Sequence, residues 1–384
     1  MAPVHTALAR DHDPVRVMVV DDSVVIRGLI SRWIKETPDL DVVSTQRNGQ
    51  LAVEAIEAVQ PDIVVLDIEM PIMDGLTALP LILKKKPGIK VIIASTLTTR
   101  NARISMKALS MGAVDYIPKP EGNHGVTTSS DFRKDLIEKV RAIGSQSQRP
   151  CQKAKLTAVS TGTKASELST GAIRLHQSEA EFKTVPFSKI APRILAIGSS
   201  TGGPQALTKL ITEISPSLDA IPTVITQHMP KTFTGILASN LATAANRPCK
   251  EAEDGEVLKA GAIYVAPGER HLVLKKSGGT AVVSLDDGEP VNFCKPAVDP
   301  MFDSVAAIFG SATLGLVLTG MGQDGARGGV KIRGAGGSII AQDEASSVVW
   351  GMPGATAQAG ICSAVLPLDQ IGRKVRDLLG RKLS

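Results

Sequence analysis

The chain lacks three features, and each absence removes a class of protein. Its four cysteines, Cys151, Cys249, Cys294 and Cys362, are scattered through 384 residues with no Cys-x-x-Cys or Cys/His cluster. That spacing argues against a disulfide framework and a zinc site, and it suits a reducing compartment. No run of about 18 apolar residues is present, and Asp11 and Asp13 stand near the N-terminus where a signal peptide would carry its apolar core. A cytoplasmic protein without membrane insertion is expected. An excess of one charge is missing from both halves: residues 1–143 hold 18 basic and 18 acidic side chains, and 191–384 hold 18 and 17. DNA-binding domains gather Lys and Arg on one face or helix, so nucleic-acid binding has little electrostatic support. Most of the net +5 comes from residues 144–190, whose 7 basic and 3 acidic side chains contribute +4.

A length of 384 residues exceeds what one core normally holds, so two domains and a connector are expected. After an N-terminal extension, 1–15, short apolar runs alternate with helix-period segments across 16–143, the mark of strand-helix units around a parallel sheet. Strands read at 17–20, 42–44, 63–66, 91–94 and 113–117, with helices beginning near Ser23, Gln50, Gly75, Arg100 and Asp131. Residues 144–190 turn rich in Ser, Thr, Lys and Ala and lose the apolar period, which reads as a flexible linker. From Arg193 the alternation returns, giving a second α/β domain over 191–384. Its strands read at 194–197, 223–226 and 314–318, and its helices at 203–213, 231–244, 300–309 and 324–333. Between them, 262–284 reads as short strands with turns at Gly268 and Gly278-Gly279, predicting antiparallel additions and a mixed sheet.

In the first domain Asp21 and Asp22 follow strand one, and Asp67 follows strand three. Open α/β sheets place their sites at such carboxyl ends. Converging carboxylates repel unless a cation intervenes, and oxygen ligands beside a phosphoryl group suit Mg²⁺. One carboxylate can then attack a phosphoryl donor, with Ser95 after strand four and Lys119 after strand five as hydrogen-bond donor and positive charge. The plain alternative is that Asp21-Asp22 caps the next helix. It loses weight once Asp67-Ile68-Glu69-Met70-Pro71, Asp74-Gly75 and Lys119-Pro120 follow in order. Residues 16–143 resemble a two-component receiver domain. The resemblance implies a flavodoxin-like five-stranded parallel sheet, Asp67 as phosphoacceptor, Asp21, Asp22 and Asp67 around Mg²⁺, and Ser95, Tyr116 and Lys119 as switch residues.

In the second domain Gly198-Ser199-Ser200-Thr201-Gly202-Gly203 sits between a strand and a helix. Such a turn exposes a serine at a helix N-terminus, although the same string can cradle a phosphate. His228 and Asp324 fall after two other strands, completing the residue types of a Ser-His-Asp triad. Taken singly, the histidine could be structural and Asp324 could cap its own helix. The chain order Ser, His, Asp departs from ordinary α/β-hydrolases. Through IGSSTGGPQAL, ITQHMP, DGEVLKAGAIYVAPGERHL, KPAVDPMF and LTGMGQDGARG the domain resembles the chemotaxis-type protein-glutamate methylesterase.

That resemblance implies a doubly wound α/β domain with Ser200 as nucleophile, His228 as base, Asp324 as third member and the Met321 N–H in the oxyanion hole. Ser199 stands where the family usually has a small residue, and Ala297 where it often has serine; His271, in a family motif, reads as structural. The implied activity is hydrolysis of glutamyl methyl esters on the cytoplasmic domain of chemoreceptors, with glutamine deamidation, activated by a histidine kinase and needing no cofactor at the serine. The implied resting state has the receiver covering that serine. The rivals are a DNA-binding response regulator, for which no basic recognition helix is visible, and a pseudoenzyme that only binds.

Overall fold

The computed structural model describes residues 13–96, 98–119, 130–147 and 182–380. The first domain runs β1 (Val15–Val20), α1 (Val24–Lys35), β2 (Leu40–Gln46), α2 (Gly49–Val59), β3 (Ile63–Asp67), α3 (Gly75–Lys85), β4 (Lys90–Thr96), α4 (Thr99–Ser110), β5 (Asp115–Lys119) and α5 (Ser130–Ser147). Its sheet is parallel in the order β2-β1-β3-β4-β5. Every residue of β3 is buried, as expected of a central strand with helices on both faces. Polar side chains start the helices: Ser23, Asn48, Asp74 and Thr98 each accept a first-turn N–H. The fifth strand lies later than its apolar signal at 113–117. Ladder pairing begins at Asp115 opposite Ile92, and polar Asp115 and Lys119 disguise the strand's extent.

The second domain runs β6 (Ile194–Ser199), α6 (Gly203–Ile214), β7 (Thr223–Gln227), α7 (Lys231–Ala245), β8 (Cys249–Glu251), β9 (Ile263–Val265), β10 (His271–Ser277), β11 (Thr280–Asp286), α8 (Val298–Phe309), β12 (Thr313–Val317), α9 (Ala326–Gly334), β13 (Ser338–Gln342), α10 (Met352–Gln358), β14 (Ala364–Leu366) and α11 (Leu368–Leu379). The main sheet has seven strands ordered β14-β13-β12-β6-β7-β9-β8, and every pairing within it is parallel. The antiparallel strands expected to make it mixed instead form a separate two-stranded sheet, β10-β11. Their alternation is that of a hairpin, and the Gly278-Gly279 turn, both residues at positive φ, closes it locally.

Structure enters the expected linker at both ends. Helix α5 runs through Ser147, and residues 182–190 lie on the second domain, where Phe182 meets Trp350 edge-on at 5.4 Å and Val185 N–H donates to Cys362 O. Residues 148–181 lie outside the described residues.

The two domains share an apolar core. Met106, Leu109, Ala113 and Tyr116 of the first join Leu207, Leu210 and Phe233 of the second in one buried cluster. At its centre the Tyr116 and Phe233 rings stack, with centroids 4.2 Å apart and planes 15° from parallel. Nearby, the Gln205 side chain donates to Ala113 O. On the other side of the first domain, Val349 belongs to the cluster containing Phe132, Leu136 and Val140, and Met321 and Val348 pack against it.

Candidate active site and phosphoacceptor site

Strand order places the serine site. β12, β6 and β7 are adjacent, so the segments leaving their carboxyl ends meet: Ser200 after β6, His228 after β7, Asp324 after β12. Ser200 is held by its backbone, its N–H donating to Thr319 O at 3.0 Å and its carbonyl accepting from Gln227 Nε2 at 2.9 Å. Its Oγ has no hydrogen-bond partner among the described residues. Two glycines make the turn possible. Gly202, the residue before α6, sits at φ 75, and a Cβ on Gly320 would lie 2.9 Å from the Ser200 Cβ and 2.4 Å from Met352 Sδ. Ser199 is fully buried and donates to Gln227 Oε1 at 2.7 Å, pointing away from the site.

His228 Nε2 lies 2.7 Å from Asp324 Oδ2. Asp324 is buried and precedes α9 rather than beginning a helix there, because α9 starts at Ala326 after Gly325 at φ 90. The carboxylate does not cap its own helix. It caps α8 instead, accepting from Val298 N–H at 2.6 Å and Asp299 N–H at 3.0 Å, and it also accepts from Asn292 Nδ2 at 3.0 Å. A helix N-terminus and charge-assisted hydrogen bonds favour the anion. Burial pushes the Asp324 carboxyl up, yet the His228 hydrogen bond and charge and these N–H groups win and hold it below the usual carboxylate range.

Burial pulls His228 down, but the Asp324 hydrogen bond, together with Cys294, raises it to about 10. The pair therefore stabilises the fold fully below the ordinary histidine range, and that contribution is lost as pH rises through about 10. Asp324→Asn is expected to move the His228 titration to lower pH, read from its C2 proton by NMR, because the imidazolium loses its carboxylate. An unchanged titration would show that another group holds that proton.

The other ring nitrogen of His228, Nδ1, faces Cys294 Sγ at 3.4 Å. Of the three residues expected to form a triad, the structure joins His228 and Asp324 directly and brings Ser200 to the adjacent strand end. A cleft of about 550 Å³ opens beside them, lined by His228, residues 292–294, residues 321–324 and Trp350. The Met321 N–H has no acceptor among the described residues. His271 is buried with both ring nitrogens engaged, Nδ1 accepting from Ala297 N–H at 3.1 Å and Nε2 meeting Glu289 O at 3.0 Å. Ala297 is fully buried, so this position offers the cleft no hydroxyl.

Sequence reasoning missed Asn292, Cys294 and Asp299. Asp299 binds Gly325 N–H at 3.0 Å and Gly328 N–H at 2.7 Å, fixing the turn that carries Asp324. Its place in KPAVDP was the available signal; Asn292 and Cys294 lie in an irregular stretch that carried none.

In the receiver, ligand oxygens of Asp21, Asp22 and Asp67 lie within 4.8 Å of one another. This all-oxygen acidic set fits a hard divalent cation such as Mg²⁺. Lys119 Nζ bridges it, 2.6 Å from Asp21 Oδ2 and 2.8 Å from Asp67 Oδ1. Burial pushes Asp67 up, Lys119 opposes and Asp21 adds, for a value of about 6. Ser95 is buried and meets Ser105 Oγ at 2.7 Å. Tyr116 is also buried, its ring against Phe233 of the other domain.

Comparisons with known proteins agree with this division. The family described as CheB methylesterase matches residues 195–375, and the response regulator receiver domain matches 17–129. A protein-glutamate methylesterase/protein-glutamine glutaminase of Rhodopseudomonas palustris strain BisB5 is 55% identical over 95% of this chain and 94% of its own. A group 2 operon protein of the same description from Bradyrhizobium diazoefficiens is 52% identical over 96% of this chain and 95% of its own. Among solved structures, the Thermotoga maritima CheB methylesterase catalytic domain is 42% identical, covers 49% of this chain and 100% of that one, and gives a TM-score of 0.48. With family matches in both domains and relatives this similar along nearly its whole length, the chain belongs to the CheB methylesterase family and joins a response-regulator receiver to a hydrolase domain.

Proposed function

We propose that this chain is a phosphorylation-activated protein-glutamate methylesterase that hydrolyses glutamyl methyl esters on the cytoplasmic domain of chemoreceptors and also deamidates receptor glutamines. The observation that carries the reading is the His228–Asp324 pair, 2.7 Å apart, at strand ends flanking that of Ser200. Ser200 Oγ attacks the ester carbonyl as its proton passes to Nδ1 of the neutral form of His228, the nitrogen not held by Asp324. The Met321 N–H and an N–H of the Ser200 turn hold the oxyanion. His228 then protonates the leaving methoxide, methanol departs, and water deprotonated by His228 frees the acyl-enzyme as glutamate. With a glutamine substrate the leaving group is ammonia. Asp324, anchored on the N-terminus of α8, keeps its charge throughout and stabilises the imidazolium.

Control lies in the receiver. Asp67 is the phosphoacceptor and a histidine kinase the donor. Asp21, Asp22 and Asp67 would hold Mg²⁺, which neutralises the phosphoryl oxygens when bound. Lys119 already bridges two of these carboxylates, and the Ser95 hydroxyl turns from Ser105 toward the new phosphoryl oxygen. In the resting form the receiver restricts the serine site, a reading supported by the Tyr116–Phe233 stack and by Met321 and Val348 packing against the receiver's cluster. The protein serves in the cytoplasm, and among the described residues no helix is long and apolar enough to cross a membrane.

The decisive measurement is methanol release from methylated receptor with and without a small phosphodonor and Mg²⁺. Release is expected in both arms and about tenfold faster with the donor, a shift of about 1.4 kcal/mol between covered and open forms. No methanol in either arm would overturn the esterase; equal release in both would overturn the coupling alone.

A further inference from the structure

Three cysteines fall among the described residues, and their surroundings differ. Cys249 and Cys362 sit where burial pushes each thiol up to about 12, the setting of inert structural sulfur. Cys294 is half-buried, lines the cleft, and has its Sγ 3.4 Å from His228 Nδ1. Because the same ring meets Asp324 through Nε2 at 2.7 Å, thiol, imidazole and carboxylate form a continuous chain. That is the arrangement in which a base activates a cysteine and a third group orients the base. The backbone is built for it. Asn292 and Phe293 adopt φ of 52 and 63, and Val291 and Cys294 exchange both backbone hydrogen bonds, at 3.1 and 2.9 Å. This closed turn presents Cys294 to His228 and leaves Phe293 92% exposed.

We propose that Cys294 is an oxidative modification site, a thiol that His228 primes for attack on hydroperoxides, and that its oxidation silences the neighbouring serine site. As Sγ attacks the nearer peroxide oxygen, its proton passes to Nδ1 of the neutral form of His228, the S–O bond forms and the O–O bond breaks. The departing hydroxide takes a proton from the imidazolium and leaves as water. Sulfur is oxidised to the sulfenic acid and the peroxide is reduced, with His228 restored. The new oxygen sits between sulfur and imidazole, so His228 Nδ1 is no longer open to take the Ser200 proton. A small thiol reverses the change, first condensing with the sulfenic acid with loss of water, then releasing Cys294 by exchange.

Oxidation itself requires neither Ser200 nor an ester; only its effect on hydrolysis rests on the esterase reading. The test treats the full-length chain with hydrogen peroxide, traps sulfenic acid with a cyclic dione and reads each cysteine on its own peptide by mass spectrometry. Cys294 is expected to be trapped at least about tenfold faster than Cys249 and Cys362, and equally fast in Ser200→Ala. Asp324→Asn and His228→Gln are each expected to slow it several-fold, and the second leaves the Asp324 cap on α8 intact. Trapping no faster than at Cys249 and Cys362, or unaffected by His228→Gln, overturns the proposal. In the activity arm, peroxide removes wild-type methanol release and dithiothreitol restores it, while Cys294→Ala keeps whatever rate it starts with. Equal loss in Cys294→Ala places the sensitive group elsewhere and overturns the silencing.

Discussion

Ser200→Ala is expected to lower methanol release about 10⁴-fold or more, with folding and phosphoryl labelling of the receiver unchanged. Members of a catalytic unit are not additive, so His228→Ala should cost a similar factor and the double variant little more. Ser199→Ala is the internal control. It removes a buried hydrogen bond to Gln227, worth about 1 kcal/mol of stability, from a side chain that points away from the cleft. Steady-state methanol assays on the four variants, with circular dichroism to check folding, decide the matter. If Ser200→Ala kept wild-type activity, the nucleophile would have to be another group within reach of His228, and Cys294 is the one in contact.

Asp67→Ala is expected to abolish acyl-phosphate labelling by a small phosphodonor and, with it, the tenfold rise in hydrolysis, leaving the basal rate in place. The variant should fold. Burial raises Asp67 to about 6 despite Lys119, so at neutral pH its charge is held at a cost rather than a gain. Removing it leaves Lys119 paired with Asp21 at 2.6 Å. Labelling with radioactive phosphodonor and the paired methanol assay are the measurements. Labelling that survives the substitution would move the phosphoacceptor to another side chain, Asp21 or Asp22 first.

Much of the site was legible because parallel sheets gather their functional groups at strand ends, and strand ends can be read from short apolar runs. Ser200, His228 and Asp324 each follow such a run, as do Asp21 and Asp67. Their environments could not be read the same way. Asp324 looked like the start of its own helix, but its carboxylate caps α8, whose first residue lies 26 positions away in the chain. Tyr116 reads as a switch residue through the resemblance, but nothing local identifies Phe233 as its partner. Cys294 meets His228 from 66 positions further along the chain. The all-parallel sheet was misjudged for the opposite reason, since the β10-β11 hairpin has a strong local signal and no sequence mark of which sheet it joins. Strand β13, SIIAQ, had a readable apolar centre and was passed over, whereas three-residue β8 and β14 were too short to register.

The stack of Tyr116 on Phe233 has a consequence that runs from substrate back to signal. A contact that spans both domains makes their states one equilibrium, and coupling between two binding events is reciprocal. Under the proposed activation, whatever free energy phosphorylation contributes to freeing the catalytic face, a receptor held in the cleft would return to the receiver as readiness to hold a phosphoryl group. A receptor rich in methyl esters would thus raise phosphoryl occupancy at Asp67, and the enzyme would register its own workload as well as the kinase's command.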